Sequence, residues 1–421
     1  MTTLYVFLAL LFVGAPIGIV LALSAAAYVV VSGNPLLFAS YPPQLFSGVD
    51  NYGLLAIPLF VLLGEIMNGG GITQRLIGMA KALIGTLRGG LAYINIIANM
   101  MMASILGSAA AQIAVMSKVM VPEMDKEGYD RRFSVATTAV AGLLSPIIPP
   151  SMMFVVYGVL ARVSIGDMFL AGIIPGIMLG GSFMAVIFLM GLVNPYPTPV
   201  PMTLRQRWIK FRDGLITLSI PAVIIGSIVS GIASPTESAA VACVAAYLIG
   251  RFVTKEFHDN ELPEMFAATG RNSAVVLFMV ATANVFGWVL IYGQVPQAVS
   301  VWIQTVADGP VSFMLLVNVI LLAIGTVIDG IPGLIMVVPI LLPIATEVYG
   351  IDPVHFGVVV SINLVLGLVS PPVGIALFVA AAITKMKPGD IFMAAIPYCL
   401  ATCAILVLLS VYPWFTLALV R

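Results

Sequence analysis

Charge is what this 421-residue chain has least of. Asp, Glu, Lys and Arg make up 9% of it and hydrophobic residues 61%. A soluble domain carries roughly 25% charged residues, so a single aqueous fold is excluded. Histidine is scarcer still: His258 and His355 stand alone in expected loops. The three cysteines, Cys243, Cys399 and Cys403, fall in apolar runs without metal-ligand spacing and read as small core residues. There is no HExxH, no phosphate-cradling GxxxxGK(S/T) and no aspartate-rich diphosphate motif. Enzyme chemistry therefore has no foothold. Equal numbers of acids and bases, 18 of each, give no nucleic-acid signature.

What fills the chain is long uncharged runs. Residues 311–328 and 330–346 are separated by one acid, and 356–384 contain none. Such runs approach or exceed the ~20 residues needed to cross ~30 Å of hydrocarbon. The fold class expected is an all-α polytopic membrane protein. The first 30 residues lack a basic n-region, and their apolar run continues past any cleavage site, so they read as membrane helix rather than signal peptide. Charges gather outside the runs. "RQRWIKFR" (205–212) and the Arg251/Lys255 pair flank a stretch broken at "SPTES", which reads as out and back. By the positive-inside rule both basic loops are cytoplasmic, and the first also suits contact with lipid headgroups.

The chain repeats itself. "GLLSP" (142–146) recurs as "GLVSP" (367–371), and "IGDMFLAGIIP" (165–175) as "PGDIFMAAIP" (388–397). Pro122 matches Pro343, Asp130 matches Asp352 and Tyr28 matches Tyr247, at offsets of 219 to 225. In both halves prolines interrupt a run at membrane depth, at 145–151 and at 370–374. Internal repeats with interrupted segments at matching positions point to a secondary transporter with its site at the breaks. Each break is preceded by two apolar arms around a small-residue tip, "ILGSAAAQ" (105–112) and "IGTVIDGIPG" (324–333). Arms of ~12–15 residues are too short to span, so each pair reads as a re-entrant hairpin. Ahead of each hairpin an amphipathic stretch reads as an arm lying across the membrane surface.

Asp329 is the sharpest single residue, because no Lys or Arg occurs between Arg271 and Lys385. A buried carboxylate needs a cation or donors. It reads as a sodium ligand, or as the cap of the helix after it. Gly325 and Thr326 precede it, and the repeat offset pairs Ser104, Gly107 and Ser108 with this tip. At the breaks, Ser145, Pro146, Ser370 and Gly374 are sodium candidates, and Pro149, Pro150, Ser151, Pro371 and Pro372 substrate candidates. One ion is expected near each hairpin and its own break, with Asp329 in the second set. Glu237 reads as the acid of a capping box, and Asp167 and Asp390 as N-caps. Glu65 precedes "NGGG", near an expected helix C-terminus where its charge is disfavoured. The sequence assigns it no role.

An ordered set of segments carries a resemblance: "PIGIVLALS", "LFVLLGEIMNGGG", "LLSPIIPPSMMFVVYG", "PTESAAVA", "GTVIDGIPGLIMVVPILLP" and "LGLVSPPVGIALFVA". The chain resembles, over essentially its whole length, the large membrane subunit of TRAP (tripartite ATP-independent periplasmic) transporters. The resemblance implies the ion-transporter superfamily fold and an elevator-type, sodium-coupled importer in a bacterial inner membrane. It implies inverted repeats with two re-entrant hairpins and two broken helices. Residues 1–70 and 165–292 are then scaffold helices, with a cytoplasmic linker at 203–213. The arms are 72–88 and 293–308, the transport domain is 89–164 with 309–387, and 388–421 is a C-terminal helix. It further implies two partners, a small four-helix membrane subunit and a periplasmic substrate-binding protein, and a carboxylate cargo of the sialic acid or C4-dicarboxylate type. A stand-alone symporter or exchanger of the same superfamily, and a non-transporting scaffold, are the alternatives.

Overall fold

The computed structural model describes residues 2–69, 72–84, 87–193, 196–197 and 202–420. Among these there is no β-strand. Helices α1 (Thr2–Phe12), α2 (Ile17–Ser32), α3 (Pro35–Val49) and α4 (Ala56–Gly69) lead to α5 (Ile72–Ile84). The first hairpin is α6 (Gly90–Leu106) and α7 (Ala109–Lys126), and the first broken helix is α8 (Arg131–Gly142) and α9 (Met152–Ala161). Then come α10 (Ile165–Val193), α11 (Leu204–Val229), α12 (Pro235–Leu248), α13 (Leu262–Tyr292) and α14 (Val295–Gln304). The second hairpin is α15 (Pro310–Gly325) and α16 (Gly330–Pro343), and the second broken helix is α17 (Pro353–Gly367) and α18 (Ile375–Thr384). The chain closes with α19 (Pro388–Val411) and α20 (Trp414–Leu417). Among the described residues seven helical segments are long and apolar enough to cross a bilayer.

From α5 to α10 and from α14 to α19 the halves run through the same order of elements, and local chemistry shows why. Asp130 and Asp352 are matched N-caps. Asp130 accepts from Phe133 N at 2.9 Å and Asp352 from Val354 N at 2.8 Å, starting α8 and α17 at equivalent points. Asp167 and Asp390 do not cap. They lie in the first turns of α10 and α19, where the helix dipole favours an acid; Ser164 Oγ accepts from Asp167 N, and Asp390 pairs with Arg132 at 3.5 Å. Glu237 closes its capping box as expected, accepting from Ser234 N at 2.8 Å.

The two halves are inverted. The open end of the first hairpin shares a face with the basic loops. Lys81 of α5 pairs with Glu123 of α7 at 3.2 Å, Arg207 donates to Ala82 O at 2.9 Å, and Arg75 pairs with Glu256 at 2.9 Å. The end of α18 is there too, since Arg131 donates to Thr384 O at 2.9 Å. The open end of the second hairpin lies on the opposite face. There Tyr349 donates to Ala307 O at 2.9 Å, and Tyr157 in the second half of α9 donates to Pro353 O at 2.5 Å.

Packing sorts the helices into two groups. An outer group holds α1–α5 and α11–α13, built around α2–α13, α3–α13, α4–α12 and α5–α11 pairs. An inner group holds both hairpins, both broken helices, α10 and α19. The expected division put α10 among the scaffold helices. The structure instead packs it on α19, α6, α9 and α17, with only a slight contact to α11. The arms also differ from expectation. Helix α14 keeps Val301 and Trp302 exposed, but α5 is largely buried between α6 and α11. The first hairpin's arms are 17 and 18 residues long, not the 12–15 expected. The groups meet where α5 packs on α6 and where α4 and α13 face α6, α9 and α16.

Candidate functional site

Both hairpin tips point at the breaks. At the first tip Gly107 adopts a left-handed φ of +59°, which a side chain resists, and Ser108 caps α7, accepting from Ala111 N at 3.4 Å. At the second, Asp329 holds the N-cap position of α16, yet its carboxylate makes no capping hydrogen bond and stays exposed at the tip. The capping role read for it is therefore not made. A cavity of about 30 Å³ lies between the tips, lined by Gly107, Ser108, Pro146, Asp329 and Leu368 among others. It has room for a water-sized particle. Asp329 thus shares a cavity with the first hairpin and first break. Sequence order put it with the second set, because adjacency along the chain cannot show that the tips of two inverted repeats meet.

The first break, 143–151, turns back through Ser151, whose hydroxyl donates to Pro146 O at 2.5 Å and caps α9. Ser145 is fully buried and its Oγ has no hydrogen-bond partner. The second break is tied to the tip beside it: Gly374, at φ +63°, donates from its N to Thr326 O at 2.9 Å, and Ala376 N bridges the break to Leu368 O at 2.9 Å. Both breaks carry a cis peptide, Pro149–Pro150 and Pro371–Pro372. Thr326 and Ser370 spend their hydroxyl protons on Ala323 O and Leu366 O. Gly325 is a contact point: a Cβ there would stand 2.8 Å from Leu364 O, against the backbone of Gly367. Pro371 and Pro372 are exposed and line neither cavity described here. The Ser104 side chain lies outside the described residues.

A larger cavity, about 420 Å³, opens between the two groups. Its inner wall is Gly107, Ser108, Pro150, Met152 and Ile331; its outer wall is α4 and α13, with Glu65, Asn68 and Asn272 as the polar groups. No Lys, Arg or His lines either cavity. Positive potential comes instead from helix N-termini, those of α7, α9 and α16, which end here with their amides unsatisfied by their own helices. Facing them are the C-terminal ends of α6 and α17, whose carbonyls suit a cation. The site can hold an anion and a cation close together.

Sequence reasoning missed the buried amides that brace it. Asn95 donates to Thr138 at 2.7 Å, Asn99 to Asn95 Oδ1 at 2.9 Å, and Gln112 to Asn99 Oδ1 at 2.8 Å. In the other half Asn363 donates to Asn318 Oδ1 at 2.9 Å and Asn318 to Ser410 at 2.9 Å. Asn95 and Asn318 stand 223 apart, the same spacing as Asp167 and Asp390, and that was the available signal.

The family described as "Tripartite ATP-independent periplasmic transporter, DctM component" matches residues 4–415. The chain belongs to this family. Its relatives include the sialic acid TRAP transporter large permease protein SiaM of Vibrio cholerae, 35% identical over 99% of this chain and 97% of that protein. The C4-dicarboxylate large permease DctM of Pseudomonas aeruginosa is 36% identical, covering 94% and 92%. The 2,3-diketo-L-gulonate large permease YiaN of Escherichia coli is 36% identical, covering 88% and 87%. Among solved structures, the Alcanivorax borkumensis YdaH transporter superposes with a TM-score of 0.66 at 15% identity, over 91% of this chain and 89% of that one. At that identity the likeness is one of fold. This DctM-family chain is thus a multi-pass transporter subunit of the large permease type, not an enzyme.

Proposed function

We propose that this DctM-family chain is the translocating subunit of a sodium-coupled importer of carboxylate solutes in a bacterial inner membrane, with the basic face cytoplasmic. The observation that carries the reading is the cavity between the two tips. It contains Asp329, helix N-termini and carbonyl ends, and no basic side chain. An anionic solute brought near Asp329 meets a like charge unless a cation is bound first. Gly107, Ser108, Pro146 and Asp329 supply the oxygens, from side chain or backbone, that a hard cation prefers. Ser145 lines neither cavity, but its Oγ, buried and without a partner among the described residues, is a further candidate in the same break as Pro146. Sodium binding then supplies the positive charge that completes the solute site.

The inner group carries the site and the outer group is the frame. The inner group would move across the membrane against α4 and α13 as a unit, in the elevator manner. Relatives named for sialic acid, C4-dicarboxylates and diketogulonate support a carboxylate cargo. The family's tripartite description supports two partners, a small four-helix membrane subunit and a periplasmic binding protein that delivers the solute. The test is uptake into proteoliposomes containing this chain and its small subunit. The external supply is the cognate binding protein with radiolabelled sialic acid or succinate, with and without an inward sodium gradient. Uptake that needs sodium and the binding protein, and is lost in Asp329→Ala, is expected. Uptake indifferent to sodium would sink the ion assignment, and uptake without the binding protein would make the chain a stand-alone symporter.

A further inference from the structure

Glu65 is a carboxylate in an unusual place. It lies in the last two turns of α4, where the helix dipole disfavours a negative charge. It is half-buried and has no ion pair or hydrogen bond among the described residues. It lines the 420 Å³ cavity with Asn68 and Asn272, facing the first hairpin tip and Pro150. The nearest base in sequence on that wall is Arg271, which is exposed and does not line the cavity. Glu65 lies toward the basic face, because α4 ends at Gly69, where an added Cβ would stand 3.4 Å from Glu261 in the loop before α13. The cavity therefore has an acid on its cytoplasmic, outer wall and helix N-termini on its inner wall.

We propose that Glu65 is an exit-side charge that weakens binding of the carboxylate solute in this conformation and speeds its release toward the basic face. The proposal rests on the reading of the chain as a carboxylate importer. A sphere of 420 Å³ is about 9 Å across, so a solute carboxylate in the cavity stays within about that distance of Glu65. Coulomb's law at about 9 Å and an effective dielectric of about 20 gives a repulsion that, after screening, is worth about tenfold in affinity. Sodium cannot cancel this repulsion once it has left the tip cavity. The overall gradient a transporter can build is set by its coupling and is untouched. What Glu65 changes is the affinity of one state and the rate of leaving it. Because Glu65 belongs to the outer wall, the inner group would leave it behind when it moves. The repulsion would then act only after the crossing.

The experiment uses the chain with its small membrane subunit in nanodiscs, comparing wild type, Glu65→Gln and Glu65→Asp. Binding of N-acetylneuraminate (one carboxylate) and succinate (two) is measured calorimetrically at low and high ionic strength. Thermal melting is recorded in parallel, and Glu65→Gln is expected to melt no lower than wild type, since it removes an unpaired charge from a helix C-terminus. The result expected is about tenfold tighter binding in Glu65→Gln. The gain should be larger for any dianion bound than for a monoanion, and smaller at high salt, with Glu65→Asp staying near wild type. A probe that binds the variant and not the wild type supports the same conclusion. Binding by wild type that is unchanged or weakened in Glu65→Gln, in a protein that melts normally, overturns the proposal and leaves the importer reading standing. Binding of neither probe by either protein, with sodium present, overturns the carboxylate reading and the proposal with it.

Discussion

The contact between Gly325 and Gly367 offers a sharp test of how the second tip is held. An added Cβ at Gly325 would stand 2.8 Å from Leu364 O, where real Cβ contacts almost never fall, and a tight 3.2 Å from Gly367 Cα. Both neighbours are backbone in the fully buried α17, so neither can swing away as a long side chain would. Gly325→Ala must therefore push α15 off α17. Overpacking of this kind costs about 1–3 kcal/mol. The same substitution at Gly226, a helical glycine with nothing within 4 Å of the added Cβ, is the control. There the gain in helix propensity is up to about 1 kcal/mol, and Gly226→Ala should melt at or above wild type. The assay is thermal unfolding of the detergent-solubilised protein, with and without sodium. Gly325→Ala should melt lower in both conditions. Its sodium-induced stabilisation should shrink as well, because Thr326 O, which receives Gly374 N at 2.9 Å, and Asp329 three residues on follow the displaced helix. If Gly325→Ala melts with Gly226→Ala, the close approach of α15 and α17 is wrong, and with it the placement of Asp329.

Three further outcomes follow from particular contacts. Ser145→Ala should leave the sodium-free protein as stable as wild type or up to about 1 kcal/mol more stable, because it deletes a buried hydroxyl that has no partner, while raising the sodium concentration needed for half-maximal uptake. Tyr196, whose ring stacks 5.8 Å from Tyr129 and lies tilted 5.2 Å from Phe133 and whose hydroxyl donates to Ile187 O at 3.0 Å, should cost about 2–4 kcal/mol when cut to Ala, and about 1 kcal/mol when changed to Phe, read by chemical or thermal unfolding. Ser234→Ala removes one side of a closed capping box and should lower stability by about 1 kcal/mol, with sodium dependence of uptake unchanged.

The helices were legible where local chemistry marks them. Proline pairs at 149–150 and 371–372 interrupt apolar runs, and the offset between halves marks two hairpins and two breaks. What could not be read was which helices pack together. Helix α10 is 29 residues of nearly unbroken apolar sequence. Such a pattern is the same whether the neighbours are protein or lipid, because a bilayer and a protein core are both apolar. Its repeat partner α19 held the clue. Both follow a broken helix directly, and Asp390 pairs with Arg132 of the opposite half. The surroundings of helix α5 were hidden for a related reason. Its amphipathic pattern suits a membrane surface, but the basic N-terminal stretch of α11 folds over it, and Arg207 reaches Ala82 O.

The site divides the same way. Asp329 stood out because a charge in a long uncharged stretch needs a partner, and that argument depends on one residue only. In the structure Asp329 shares a cavity with Ser108, 221 residues away in the other half, as well as with Val365 and Leu368 of its own half. Two inverted repeats place like points of their hairpins at one depth, so the cavity draws on both halves. The outer wall is harder again. Glu65 is visible as an acid at the wrong end of a helix, but its meaning depends on α13 and on the first tip, three segments with no sequence relation. A single acid opposite three helix N-termini makes the cavity polar from one wall to the other. A carboxylate that enters it is drawn to the inner wall and pushed from the outer one. The two walls belong to different groups of helices, so the field at the solute depends on their relative position. That dependence, and not a change in any one ligand, is how this arrangement would couple position to affinity.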